Sequence, residues 1–307
     1  MKHIIALFPG QGSQKVGMGR DFYENSSLAK ERIEEASDRL GVDFRKLLFE
    51  PNDLLDQTQY TQPAILLVSL IAYELFTKEQ DIQPQSALGH SLGEFSALVS
   101  VGALETIDGV ELVHHRGRLM QEAAKSADGG MMVVLGLGDE EVERICNEAR
   151  SEGKQVWPAN YNSEGQIVVA GIKSDLASME PLFKERGAKR AMLLNMSVAS
   201  HCPLMESAVE PLRELVERFV QDRFKAPVIS NVTAKPYQSK KEALELLPQQ
   251  LIKPVLYKQS IEELSPDLFI EFGEGAVLKG LNRRITKVPT LNVKDMHSLE
   301  AALKEIS

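Results

Sequence analysis

Short unbroken apolar runs alternate along this chain with longer stretches whose apolar positions recur every three to four residues, the signature of strands alternating with helices. The first run, Ile4-Ile5-Ala6-Leu7-Phe8, stops at Pro9-Gly10 and reads as a buried strand. The stretch 63–76 holds only Ser69, Tyr73 and Glu74 as interruptions and is too short to span a bilayer, so it reads as a buried helix. After the Gln83-Pro84 break, Ser86-Ala87-Leu88-Gly89 forms a second short strand, and the positions Leu92, Ala97, Leu98 and Val101 then repeat at helical spacing. The middle of the chain reads as strand 131–135, helix 140–150, strand 155–160, strand 166–170, helix 174–186 and strand 190–195. That order is β-α-β-β-α-β, a ferredoxin-like unit. On either side of it strands are expected at Ile4, Ala87, Val228, Phe269 and Thr290, alternating with helices.

The expected fold class is therefore α/β. A large α/β-hydrolase-like domain with a parallel sheet would be built from residues 1–127 and 197–307, and residues 128–196 would form the inserted ferredoxin-like small domain. With 307 residues, 43% hydrophobic and 26% charged, the chain can bury one large core or two domains, and neither repeats nor low-complexity tracts interrupt it. The N-terminal apolar run ends at Pro9, too early for a secretory signal, and two cysteines, Cys146 and Cys202, point to a reducing compartment, the cytoplasm. A net charge of -9 argues against nucleic acid as a partner.

The chemistry is concentrated at Gly89-His90-Ser91-Leu92-Gly93, a Gly-x-Ser-x-Gly pentapeptide between a strand and a helix, where a serine sits on a sharp turn. At the start of a helix, Ser91 also meets the positive end of the helix dipole. A serine hydroxyl becomes a nucleophile only when a base removes its proton and amide donors receive the oxyanion. One such donor is the Leu92 amide, and Gln11, in the loop after the first strand, is the candidate for the other, although that loop also reads as an ordinary strand-to-helix turn. Of the six histidines, His3, His90, His114, His115 and His297 are set aside by position. His201 lies in Ser197-Val198-Ala199-Ser200-His201-Cys202-Pro203, a small-residue loop suited to carrying a base. Arg116 stands at the edge of the helical stripe Val113, Gly117, Met120 and Ala124, where a half-buried guanidinium needs an anion, either a carboxylate ligand or an internal glutamate.

Taken together, these segments resemble the malonyl-CoA:acyl carrier protein transacylases of bacterial (type II) fatty acid synthesis, over nearly the whole chain. The resemblance rests on Phe8-Pro9-Gly10-Gln11-Gly12-Ser13-Gln14, Thr61-Gln62-Pro63-Ala64, Gly89-His90-Ser91-Leu92-Gly93-Glu94, Arg116-Gly117 with Met120-Gln121, and Ser200-His201. Asn231-Val232, Gln250-Leu251 with Pro254-Val255, and Glu271-Phe272-Gly273 before Val277-Leu278 complete it. It implies transfer of a malonyl group from malonyl-CoA to the phosphopantetheine thiol of an acyl carrier protein through a malonyl-Ser91 ester, with His201 as base. Gln11 and Leu92 would form the oxyanion hole and Arg116 would hold the malonyl carboxylate. A backbone carbonyl at Gln250, with Asn231 nearby, would orient His201 in place of a catalytic aspartate such as Asp128 or Asp175. The resemblance further implies a monomer without metal or other cofactor and with no membrane partner.

Ala199 stands where many discrete members of the family carry proline, and Ala-Ser-His resembles some methylmalonyl-selective polyketide domains, so acceptance of a branched extender stays open, and a trans-acting polyketide acyltransferase with malonyl or methylmalonyl preference is one alternative. Ser91, His201 and the oxyanion donors alone would equally serve a thioesterase or esterase. An idle carrier-binding scaffold is expected to have lost Ser91 or His201. Two basic clusters, Lys184, Arg186, Lys189 and Arg190, or Lys279, Arg283 and Arg284, could meet an acidic carrier or coenzyme A phosphates.

Overall fold

The computed structural model describes residues 2–79, 83–196 and 198–306. Its ten strands are β1 (Ile4–Phe8), β2 (Ser86–Gly89), β3 (Gly129–Leu135), β4 (Val156–Ser163), β5 (Gln166–Ile172), β6 (Arg190–Leu193), β7 (Val228–Ile229), β8 (Pro236–Tyr237), β9 (Leu268–Phe272) and β10 (Thr290–Val293). They form a six-stranded sheet in the order β10-β9-β1-β2-β7-β8 and a separate four-stranded sheet in the order β4-β5-β3-β6.

The six-stranded sheet is parallel from β10 to β7, and only the edge strand β8 runs antiparallel to its neighbour. All five residues of β1 are buried, which explains why the sequence shows no polar alternation there: a central parallel strand is covered on both faces. The long helix Thr58–Glu79 buries most of its length in the same core, including Pro63 near its start. The helix Thr106–Lys125 lies so close to it that a Cβ at Gly117 would come within 2.6 Å of the Thr58 carbonyl oxygen. The register places Phe8 opposite Gly89, so the loops leaving β1 and β2 emerge side by side at the carboxyl edge of the sheet, where open α/β sheets hold their ligands.

The small sheet is antiparallel, with β3 paired to β5 and β6, and β4 on the outer edge of β5. Its order and its two helices, Asp139–Ser151 and Lys173–Glu185, are those of the βαββαβ unit. Period-two alternation divides β3: Met132 and Val134 pack with Ile145, Met179 and Phe183 beneath the helices, whereas Met131 joins Val168, Ala170, Ala199 and Cys202 on the opposite face. The outer edge of β4 is closed by the loop before helix Tyr257–Glu262: Tyr161 N–H donates to the Val255 carbonyl at 2.9 Å and Val255 N–H to Ala159 at 2.8 Å.

The chain is thus α/β, with a parallel sheet and an inserted antiparallel one, and each strand expected from the sequence is present. The edges differ: the strand expected at 131–135 begins at Gly129, that at 155–160 runs on to Ser163 through register shifts, and that at 190–195 stops at Leu193. The two-residue edge strand β8 carries no period-two signal and has no counterpart in the sequence reading. The expected boundary at 196/197 falls on Ser197, which lies outside the described residues.

Candidate active site

Ser91 follows β2 in the left-handed region, at φ 53°, a conformation unfavourable for a residue with a side chain and held here by its surroundings. The turn is possible because its flanking positions are glycines: a Cβ at Gly89 would stand 1.8 Å from the Gly93 carbonyl carbon, and one at Gly93 would stand 2.0 Å from the Phe8 carbonyl oxygen. Gly10, in the neighbouring loop, is equally constrained, its Cβ position lying 2.4 Å from the His90 carbonyl oxygen. These close approaches bring the loop carrying Gln11 against the turn carrying Ser91. The backbone N–H groups of Gln11 and Leu92 find no protein acceptor among the described residues, and both residues line the same cavity.

His201 is placed 110 residues away in sequence, in a loop where it too adopts a positive φ, 62°. Its Nε2 lies 2.8 Å from Ser91 Oγ and its Nδ1 lies 2.7 Å from the Gln250 carbonyl oxygen. A carbonyl only accepts, so Nδ1 carries the proton and the bare Nε2 faces the serine hydroxyl, the tautomer a base requires. Burial, reinforced by the Arg116 charge, lowers the imidazole from its ordinary 6.5 to about 3, so it stays neutral and able to accept a proton at physiological pH.

Arg116 is only 1% exposed, whereas the sequence pattern suggested a half-buried side chain. The difference arises because Gln62, Gln250 and the turn at Ser91 close around the side chain. Nη1 donates to Gln62 Oε1 at 2.9 Å, and Nη2 donates to Gln250 Oε1 at 2.9 Å and to Ser91 Oγ at 3.3 Å, while the guanidinium lies over the Phe95 ring at 5.2 Å. No carboxylate forms an ion pair with Arg116 among the described residues, and its buried Nε has no hydrogen-bond partner. Burial lowers its pKa to about 10, against a counteracting attraction from Glu94, and it remains a cation at neutral pH. A fully buried, singly charged fork beside a serine hydroxyl is suited to an anionic substrate group.

Asn231 ties the turn to the sheet: its Oδ1 accepts from Ser91 N–H at 2.7 Å and its Nδ2 donates to the Gly89 carbonyl at 2.6 Å. Gln250 adds a bond from its Nε2 to the Ser91 carbonyl at 3.1 Å. The structure therefore gathers Ser91, His201, Arg116, Gln11, Leu92, Gln250 and Asn231 around one cavity of about 310 Å³ or directly behind its wall. The remaining wall combines apolar Met120, Met131, Val133, Val168 and Leu281 with polar Asn160, Asn162 and Gln166. Asp175 instead accepts from the Gln155 N–H, and Asp128 pairs with Lys173 at 3.1 Å. Cys202, next to His201, is buried with its thiol pushed up to about 12 and its Sγ directed at the Ala199 carbonyl at 3.3 Å, a packing position. Among the described residues no group of three or more His, Cys, Asp or Glu side chains is arranged to hold a metal ion, and no helix is long and apolar enough to cross a membrane.

In the sequence Gln62 and Glu94 stand only as parts of motifs, with no role of their own. Their signal was a polar residue in an apolar helical stretch, because the pattern that buries its neighbours buries it too. His90, set aside as the variable residue of the turn, is half-buried with Nε2 2.8 Å from Asn162 Oδ1, a bond that crosses from the large sheet to β4.

Residues 6–299 match the family model of the acyl transferase domain. The malonyl CoA-acyl carrier protein transacylase of Bacillus subtilis is 39% identical over 100% of this chain and 98% of its own length. The Helicobacter pylori malonyl-CoA:acyl carrier protein transacylase has a closely similar structure, with a TM-score of 0.97 and 47% identity over 100% of this chain and 99% of the other. A malonyl-transacylase solved in complex with its type II polyketide acyl carrier protein superposes with a TM-score of 0.95 at 37% identity, covering 99% of both chains.

Proposed function

Because this chain belongs to the acyl transferase family, among its malonyl-CoA:acyl carrier protein transacylases, we propose that it moves a malonyl group from malonyl-CoA to the phosphopantetheine thiol of an acyl carrier protein, supplying fatty acid synthesis. In the first half-reaction Ser91 Oγ attacks the thioester carbonyl as His201 Nε2 takes its proton. The Gln11 and Leu92 amides receive the oxyanion, and coenzyme A leaves as its thiol with the proton from His201. In the second half the carrier thiol gives its proton to His201 and attacks the malonyl-Ser91 ester, and the imidazolium returns the proton to Ser91. Oxyanion donors contribute ~3 to 4 kcal/mol each and a positioned base ~100-fold to 10,000-fold, so both halves draw on the same small set of atoms.

The observation that carries this reading is the Arg116 Nη2 atom 3.3 Å from Ser91 Oγ, with no internal carboxylate paired to it among the described residues. A thioesterase for neutral acyl groups has no use for a buried cation at that place. An acetyl group would leave the guanidinium without an anion, which supports selection of malonyl over acetyl thioesters. The helix Val277–Asn282 lines the cavity through Val277, Leu278 and Leu281, which favours the neighbouring Lys279, Arg283 and Arg284 as the docking cluster for the acidic carrier. In the other cluster Lys184 and Arg186 are already paired with Glu180 and Glu148.

Residues 128–196 are proposed as a discrete domain, supported by the separate sheet and its own apolar core. Action as a monomer, with no metal or cofactor beyond the thioester substrate, follows the resemblance, and a cytoplasmic location is supported by the free thiols of Cys146 and Cys202.

Intact-mass spectrometry of wild type and Ser91→Ala with malonyl-CoA, followed by holo acyl carrier protein, tests the reading. The expected result is a malonyl adduct on wild type alone that discharges onto the carrier. An adduct on Ser91→Ala would remove the nucleophile assignment, and free malonate with an unloaded carrier would make the protein a thioesterase.

A further inference from the structure

Glu94 is 1% exposed, in the first turn of the helix that follows Ser91, and takes no direct part in the chemistry described above. Its Oε2 accepts two hydrogen bonds, from Gln250 Nε2 at 2.7 Å and from the Asn231 backbone N–H at 3.1 Å. Both donors belong to residues that hold the reacting groups. Gln250 accepts from His201 Nδ1 through its backbone carbonyl and from Arg116 Nη2 through its side-chain oxygen, and Asn231 accepts from the Ser91 amide.

An amide side chain has two possible orientations, and the one taken by Gln250 is decided by its neighbours. With Nε2 toward Glu94 and Oε1 toward Arg116, every contact pairs a donor with an acceptor. With the amide reversed, an oxygen would face the carboxylate and an NH2 group would face the guanidinium, two repulsive contacts in a buried site. Glu94, at a shorter distance than the Ser91 carbonyl that accepts from the same Nε2 at 3.1 Å, therefore holds the orientation in which Gln250 can receive Arg116, and the bond to Asn231 extends the same anchor toward the Ser91 turn. The Tyr237 hydroxyl is buried beside the same carboxylate, without an aligned hydrogen-bond partner.

We propose that Glu94 is a positioning residue: its side-chain oxygen, at the reach of a glutamate, locks the Gln250 amide and so aims the Arg116 guanidinium at the acyl group on Ser91. The inference rests on the malonyl-transfer reading. It requires an acceptor oxygen at a fixed distance and does not require a charge, which separates it from a general electrostatic role. Glutamine keeps the length and an acceptor oxygen for Gln250 Nε2, whereas aspartate keeps the charge but withdraws the oxygen by one carbon-carbon bond.

The test compares wild type, Glu94→Gln and Glu94→Asp in single-turnover loading from malonyl-CoA and from acetyl-CoA, with thermal melting of each protein. A misplacement of ~1 Å in a positioning group costs on the order of 100-fold. Glu94→Asp is expected to lose malonyl loading by that order and to lose most of its preference for malonyl over acetyl, while melting as a folded protein. Glu94→Gln is expected to keep both within about fivefold, a difference of ~1 kcal/mol. The proposal is overturned if Glu94→Asp keeps the wild-type preference, or if Glu94→Gln loses it to the same degree. Absence of a malonyl preference in wild type itself would instead remove the reading on which the inference stands, and it is visible without any variant.

Discussion

The two sheets meet at one cavity and bring different things to it. From the carboxyl edge of the six-stranded sheet and the loops around it come Ser91, Asn231, Gln250 and Glu94, with Arg116 reaching in from the Thr106–Lys125 helix. From the four-stranded sheet come Met131, Val133 and Val168, with Asn160 and Asn162 as its polar additions. Strand direction accounts for the difference. Parallel strands all end on the same side, so their loops converge and buried polar groups can satisfy one another there. An antiparallel sheet instead offers a face on which alternate residues form an even wall. Under the proposed function, the nucleophile and the groups that position it come from strand ends and their loops, whereas a strand surface supplies much of the apolar lining.

The sharpest way to break that comparison is Arg116→Ala, which removes a buried hydrogen-bonded charge and is expected to lower malonyl loading by ~30-fold or more, from a loss of roughly 2 to 5 kcal/mol. Acetyl loading, measured in the same single-turnover assay, should hardly change, and a parallel fall of both would show that the guanidinium serves only the fold. On the other sheet, Ile167→Ala beneath the helices is expected to cost ~2 to 5 kcal/mol of stability in denaturant melts while loading per folded molecule stays near wild type. Met131→Ala, on the cavity face of the same sheet, should raise the KM for malonyl-CoA by about tenfold, toward the lower end of the ~1 to 3 kcal/mol that a change in apolar fit costs. A collapse of kcat in Met131→Ala would place chemistry on the small sheet after all.

Acid dependence sharpens the comparison on the side of the chemistry. Because burial holds His201 at about 3, the imidazole remains an unprotonated base as pH falls from 8 to 5. Loading measured across that range in the Glu94→Gln background, where the buried Glu94 carboxyl is absent, is expected to show no loss centred on the ordinary histidine value of 6.5. The smallest effect concerns stability. Burial raises Glu94 from 4.5 to about 7, so the folded protein favours the protonated carboxyl. Its contribution is complete below pH 4.5 and is lost as pH rises through about 7, the unfolded chain ionising first. The melting temperature of Glu94→Gln relative to wild type should therefore climb between pH 4.5 and 7.

Much of the fold was legible because its signals are local. β1 ends where Pro9 and Gly10 stop it, and the Ser86–Gly89 strand ends at glycines whose missing side chains the turn needs. The βαββαβ order was readable from alternation and helical spacing, and only strand ends shifted, as at Gly129 and Ser163. Strand β8 was not legible, since two residues at a sheet edge carry no period. The depth of Arg116 was also hidden, because a stripe edge in sequence cannot say whether solvent or another element lies beside it.

By itself the sequence determined the alternation of strands and helices, the glycine-framed turn that presents Ser91 and the family to which the chain belongs, since each follows from neighbouring residues or their order. Only the tertiary structure decided that the Gln250 carbonyl fixes the His201 tautomer, that Gln62 and Gln250 aim Arg116, and that Glu94 anchors Gln250 and Asn231. Those partners lie 49 to 156 residues apart, and the direction of a hydrogen bond depends on where the folded backbone places each donor and acceptor.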